Sequence, residues 1–275
     1  MTEQEKFVKG SKTILYACRP LVFYILTTGF FMTLGMFIRG MQGNSGMFLK
    51  ESRNFYSFSG VLIYWWIMFR RARRQKRSLL REATLELRPL PDLPELAGGF
   101  LLGASASLFF SALLTLLPLP AFLRDAYHSS AMQAFAEPDR LLVILMLTVL
   151  LPFTEEMIFR GLMLNRLLTF FRLRTALLLS AALFALCHVD PVWMIYAFFM
   201  GLLIGILSIR KDNIRIAVLI HMGFNFPSVI ETAIPANASL KSTPAGIFLI
   251  VIIGFCALAA FFLLLQRIYK NKGEV

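Results

Sequence analysis

Apolar residues gather in eight long runs instead of alternating with polar ones. The runs lie at roughly 20–38, 55–69, 96–117, 140–165, 174–190, 192–209, 214–230 and 245–266. Each approaches the ~20 residues a helix needs to cross ~30 Å of hydrocarbon. The pattern predicts an all-α, polytopic membrane helix bundle of about eight transmembrane helices. The second run is short, and the fifth and sixth nearly abut at Asp190-Pro191. That pair reads as a new helix start, an N-cap followed by a first-turn proline. The first run has no small-residue cleavage site behind it and reads as a retained helix, not a signal peptide.

The basic residues fix an orientation. With the N-terminus inside and eight helices alternating, segments 1–19, 70–95, 166–174, 210–215 and 267–275 carry 21 Lys and Arg, and the opposite loops carry six. Such a split predicts both termini on the cytoplasmic side of the membrane, the plasma or inner membrane of the cell. A net charge of +12 would suggest nucleic acid in a soluble chain. Here it sits in short loops between apolar runs, so topology and anionic lipids account for it and no nucleic-acid partner is expected. Only 16 % of residues are charged and 57 % are hydrophobic, against about a quarter charged in soluble domains. Arg70–Arg81 is the densest basic cluster and reads as a topology anchor. The stretch after it, with Pro89, Pro91 and Pro94, reads as an interfacial connector. Gly99/Gly103 and Gly201/Gly205 have the spacing that lets helices approach closely. His128 falls in a polar outer loop and reads as solvated, and Asn237-Ala238-Ser239 fits a glycosylation pattern. The three cysteines suggest neither disulfides nor a Cys-type zinc site.

Ionisable groups within the apolar runs change the picture. Each costs about 2.5–3.5 kcal/mol at mid-bilayer, so such groups mark function by default. They fall on three runs: Glu155, Glu156 and Arg160 on the fourth, His188 on the fifth, His221 with Asn225 on the seventh. Glu156 and Arg160 are four apart and share a helix face, which predicts a buried ion pair. Glu155 is turned about 100° away and is left available for chemistry. Phe184 and His188 share a face, as do His221 and Asn225. At 1.5 Å per residue, Glu155, His188 and His221 lie about 15, 20 and 10 Å from the cytoplasmic ends, so one cavity could hold all three. A carboxylate beside an imidazole can deprotonate a water for attack on a peptide carbonyl, and a second imidazole with an amide can stabilise the oxyanion. Alternatively Glu155, His188 and His221 could hold a divalent metal such as zinc that activates the water. Spacing leaves both open, since no compact HExxH is present.

Three motifs carry a resemblance. Glu155-Glu156-Met157-Ile158-Phe159-Arg160-Gly161 is similar to the EExxFRG signature of the CAAX-processing and bacteriocin-processing family of intramembrane endopeptidases, the Rce1-like type. Phe184 to His188 matches its FxxxH element, and His221 to Asn225 its HxxxN element. The resemblance covers roughly 140–230. It implies an eight-helix core and cleavage of prenylated or other membrane-associated peptides, with membrane lipids and lipidated protein substrates as partners. Carried over, Glu155 is the general base with His188 helping to activate water. His221 and Asn225 form the oxyanion site, Glu156 and Arg160 the supporting pair, and Phe184 packs beside them. The chain then divides into 1–95, with two transmembrane helices and the basic connector, and a six-helix catalytic core, 96–275, with motifs at 155–160, 184–188 and 221–225. A non-catalytic scaffold of the same fold is the competing function. A proton-coupled transporter is a third, disfavoured because no inverted repeat or broken helices at matching positions is present.

Overall fold

The computed structural model describes residues 3–43, 53–83, 93–134, 140–188, 190–211, 213–233 and 243–270. Every regular element among them is helical: α1 (Glu3–Met41), α2 (Arg53–Arg74), α3 (Leu79–Glu82), α4 (Leu93–Leu116), α5 (Ala121–Ala134), α6 (140–167), α7 (Leu173–Leu186), α8 (Pro191–Lys211), α9 (Ile214–Ala233) and α10 (Pro244–Lys270). Each of the eight apolar runs lies on one of them.

Three details differ from the expectation. The first helix starts at Glu3, well before the apolar run, because the basic stretch ahead of the run contains no proline and a single glycine, Gly10, is tolerated; Pro20 lies within the helix. His128 lies in α5, a helix where a loop was expected. Four stretches are long and apolar enough to cross a membrane: Gln4–Met41, Leu93–Leu114, Leu141–Leu167 and Pro191–Arg210. Three more, Leu173–Leu186, Ile214–Val229 and Pro244–Cys256, are apolar but shorter. Pro89, Pro91 and the Asn237 pattern lie outside the described residues.

The centre of the bundle is α6. Ordinary α-helix (Arg140–Leu145) gives way to a π segment (Met146–Leu150), returns to α (Leu151–Glu156), enters a second π segment (Met157–Leu164) and ends as α (Asn165–Leu167). All eight residues of the second π segment are buried. Such i→i+5 segments are rare and recur at functional sites.

Glycines set how close α4 and α9 come. A Cβ on Gly103 would stand 1.9 Å from the Ile220 carbonyl oxygen, and one on Gly223 would stand 2.0 Å from the Phe100 carbonyl oxygen. The reciprocal contact presses α9, bearer of His221 and Asn225, against α4. At the opposite end of α6 the basic connector is clamped down. Arg166 donates from Nε and Nη2 to Glu82 Oε1 (3.0 and 2.8 Å) and from Nη1 to the Tyr16 carbonyl (3.2 Å). Asn165 donates to the Glu82 carbonyl at 3.1 Å, and Arg77 pairs with the Glu82 carboxylate. Ala83 lies against Gly161, where an added Cβ would be only 2.7 Å from its own.

Candidate active site

The local sequence of α6 sends neighbouring side chains in different directions. Thr154 is fully buried and accepts a hydrogen bond at 2.9 Å from Trp65 Nε1 of α2. Glu155 retains 23 % of its side-chain surface, and Glu156 retains none. The exposed carboxylate therefore faces the cavity and the buried one faces the bundle.

Glu156 Oε1 accepts from two donors. Arg160 Nη1 lies 2.9 Å away, one turn along the helix. His221 Nδ1 lies 2.8 Å away, from α9. A carboxylate oxygen accepts, so His221 carries its hydrogen on Nδ1 and turns Nε2 toward Glu155 Oε2, 3.6 Å off. That contact is beyond hydrogen-bond length, so a water bonded to both atoms would sit beside the line that joins them. Arg160 also donates from Nη2 to the Gly201 carbonyl of α8 at 3.2 Å. Its guanidinium lies over the Phe184 ring, 4.4 Å from the centroid.

His188 lies in the turn just past α7, two residues beyond Leu186, where Nδ1 bonds the Phe184 carbonyl at 2.9 Å. A carbonyl can only accept, so this imidazole too carries hydrogen on Nδ1 and presents Nε2. The Phe184 ring packs edge-on against both imidazoles, 4.7 Å from His188 and 5.7 Å from His221, and separates Arg160 from the cavity. Asp190 caps α8 by accepting from the backbone N–H groups of Val192 and Trp193 at 2.9 and 3.0 Å.

Asn225 is more constrained than the sequence suggested. Its Nδ2 donates to the Leu147 carbonyl at 2.8 Å, so one of its two amide hydrogens is committed to α6. Glu155, His188, His221, Asn225 and Phe184 all line one cavity of about 250 Å³. Tyr127, Trp193 and Tyr196 form an aromatic part of its wall. Sequence reasoning missed those three and Trp65, and it marked Gly201 as an approach surface without naming Arg160 as the partner of its carbonyl. A lone aromatic in an apolar helix carries no signal of its partners.

The alternative of a bound metal meets the geometry as follows. Two anchored imidazoles and a carboxylate are suitable donors in kind. Among the described residues, however, no group of three or more His, Cys, Asp or Glu is arranged to hold a metal ion. Glu155, His188 and His221 line the same cavity, and with both Nδ1 atoms tied the two Nε2 atoms are the nitrogens left to bind a ligand.

Residues 137–227, about a third of the chain, match the family described as type II CAAX prenyl endopeptidase Rce1-like. The chain carries an Rce1-like domain. No curated relative and no solved structure matches it. The Rce1-like domain runs from α6 into α9 and contains Glu155, His188, His221 and Asn225. The family implies a protease, and the four long apolar helices with it fit an integral membrane protein.

Proposed function

We propose that the protein is an intramembrane endopeptidase that hydrolyses a peptide bond in prenylated CaaX-type or other membrane-associated peptides. The observation that carries this reading is the single cavity shared by Glu155, His188, His221 and Asn225, with Glu155 poised 3.6 Å from His221. A water hydrogen-bonded to Glu155 Oε2 and His221 Nε2 loses one proton to this pair as its oxygen bonds to the substrate carbonyl carbon. His188, presenting Nε2, accepts a hydrogen bond from the O–H that remains and orients the attack. The electron pair of the carbonyl moves to its oxygen. The free amide hydrogen of Asn225, and His221 when it carries the transferred proton, donate to that oxyanion. The proton then passes to the leaving nitrogen, the C–N bond breaks, and a carboxylic acid and an amine result. Glu156 and Arg160 touch no reacting atom; they hold His221 in its tautomer and orientation.

The apolar runs and the 21-to-6 distribution of basic residues further support eight spans with both termini cytoplasmic. The test is purified protein in liposomes with fluorogenic peptides, with and without a farnesylated cysteine. Glu155→Gln keeps the shape and removes the base, so the rate should fall about 10²–10⁴-fold with folding unchanged. A Gln variant that cuts as fast as the parent refutes the mechanism.

A further inference from the structure

The Asn225 amide holds a carbonyl that a regular helix would not offer. In an α-helix the Leu147 carbonyl accepts from the Leu151 N–H. Here the π segment redirects that N–H to the Met146 carbonyl. The next donor in the π register is residue 152, and Pro152 has none. The Leu147 carbonyl therefore lacks its usual helical donors, and a carbonyl left unpaired in an apolar setting is costly. Asn225 Nδ2 supplies the bond from α9 at 2.8 Å. Because a carbonyl only accepts, the bond also fixes which end of the carboxamide points where.

We propose that Pro152 is a positioning residue for catalysis. By withholding a backbone donor it reserves the Leu147 carbonyl for Asn225, and so sets the carboxamide in the cavity with one amide hydrogen left for substrate. The role rests on the endopeptidase reading above, but its physical core, one carbonyl shared between two possible donors, does not. Leu147 and Leu151 line the same cavity as Asn225, so a change of register in α6 is felt at the site directly. Proline near the start of the Leu151–Glu156 segment is compatible with helix, which explains how the chain carries it without breaking α6.

Pro152→Ala restores an N–H that competes for the carbonyl. Two measurements on the full chain test the proposal. The first is a stability cycle of parent, Pro152→Ala, Asn225→Ala and the double variant, read as Tm. Asn225→Ala should lower Tm in the parent, where the carbonyl is orphaned. It should lower it by less than half as much in the Pro152→Ala background, where the helix supplies the donor. Pro152→Gly restores the same N–H with a different side chain and should give the same pattern; additive cycles with both substitutions overturn the proposal. The second is kinetic. Pro152→Ala should lower kcat about 10-fold or more, as a small misplacement does, with KM within about twofold. An unchanged kcat overturns it. Glu155→Gln runs alongside: full activity there sinks the endopeptidase reading, while the Tm cycle still decides who holds the Leu147 carbonyl.

Discussion

One carboxylate oxygen organises the site. Glu156 Oε1 binds Arg160 on its own helix and His221 on another, so a fully buried charge is stabilised and an imidazole is aimed by the same atom. Removing the cation leaves that charge with the imidazole alone. Arg160→Met should destabilise the protein by about 3–5 kcal/mol, the usual penalty for an uncompensated buried charge. Thermal unfolding in detergent reads it. The double variant Glu156→Gln/Arg160→Met should lose less than Arg160→Met, because no buried charge remains. If the single variant is as stable as the parent, the pair is not structural. The metal question belongs to the same scale. His221 and His188 each have Nδ1 tied, to a carboxylate and a carbonyl, and among the described residues no group of three or more His, Cys, Asp or Glu is arranged to hold a metal ion. For the water-activating reading, prolonged chelation should leave peptide cleavage intact; stoichiometric loss of activity with metal release, by elemental analysis, would show that a metal takes part.

Helices place these residues through two devices. The first is the irregular register of α6, where two π segments flank the Leu151–Glu156 stretch that bears Glu155. The second is the glycine contact between α4 and α9. Gly103→Ala would put a methyl 1.9 Å from the Ile220 carbonyl oxygen, and backbone cannot yield as a side-chain tip does. The helices must separate, and His221 and Asn225 move with α9. Tm should drop and kcat should fall at least about 10-fold. Gly98→Ala on the same helix meets nothing within 4 Å and should be neutral or slightly stabilising, since alanine favours helix. Equal effects of the two substitutions would show that the close approach is not needed. The Gly99/Gly103 spacing marked α4 as an approach surface, but nothing in it named α9 as the partner.

Across the whole molecule, α1 and α2, outside the Rce1-like segment, pack on α6 and brace it. Trp65 of α2 binds Thr154, next to Glu155, and Arg166 near the end of α6 is held by Tyr16 and Glu82. The matched third of the chain thus depends on residues before it. Orientation also belongs here. In a chain with its native cysteines replaced by serine, a cysteine at Lys6 should react with an impermeant maleimide only after permeabilisation, and one at Arg124 should react from outside. The reverse pattern would overturn the assignment of both termini to the cytoplasm.

The amino-acid sequence alone determined the helices and the short set of polar residues set into them. Hydrophobic run length is a local property, and a charge among apolar residues stands out wherever it ends up. Helix starts were less legible, because α1 continues through polar residues that do not oppose helix. Tertiary structure decided everything that needs two helices to meet: that His221 leans on Glu156, that Asn225 commits a hydrogen to Leu147, that Trp65 anchors Thr154. Those choices follow from glycine contacts and from where π turns leave a backbone carbonyl unpaired. Such distances arise only once the chain has packed.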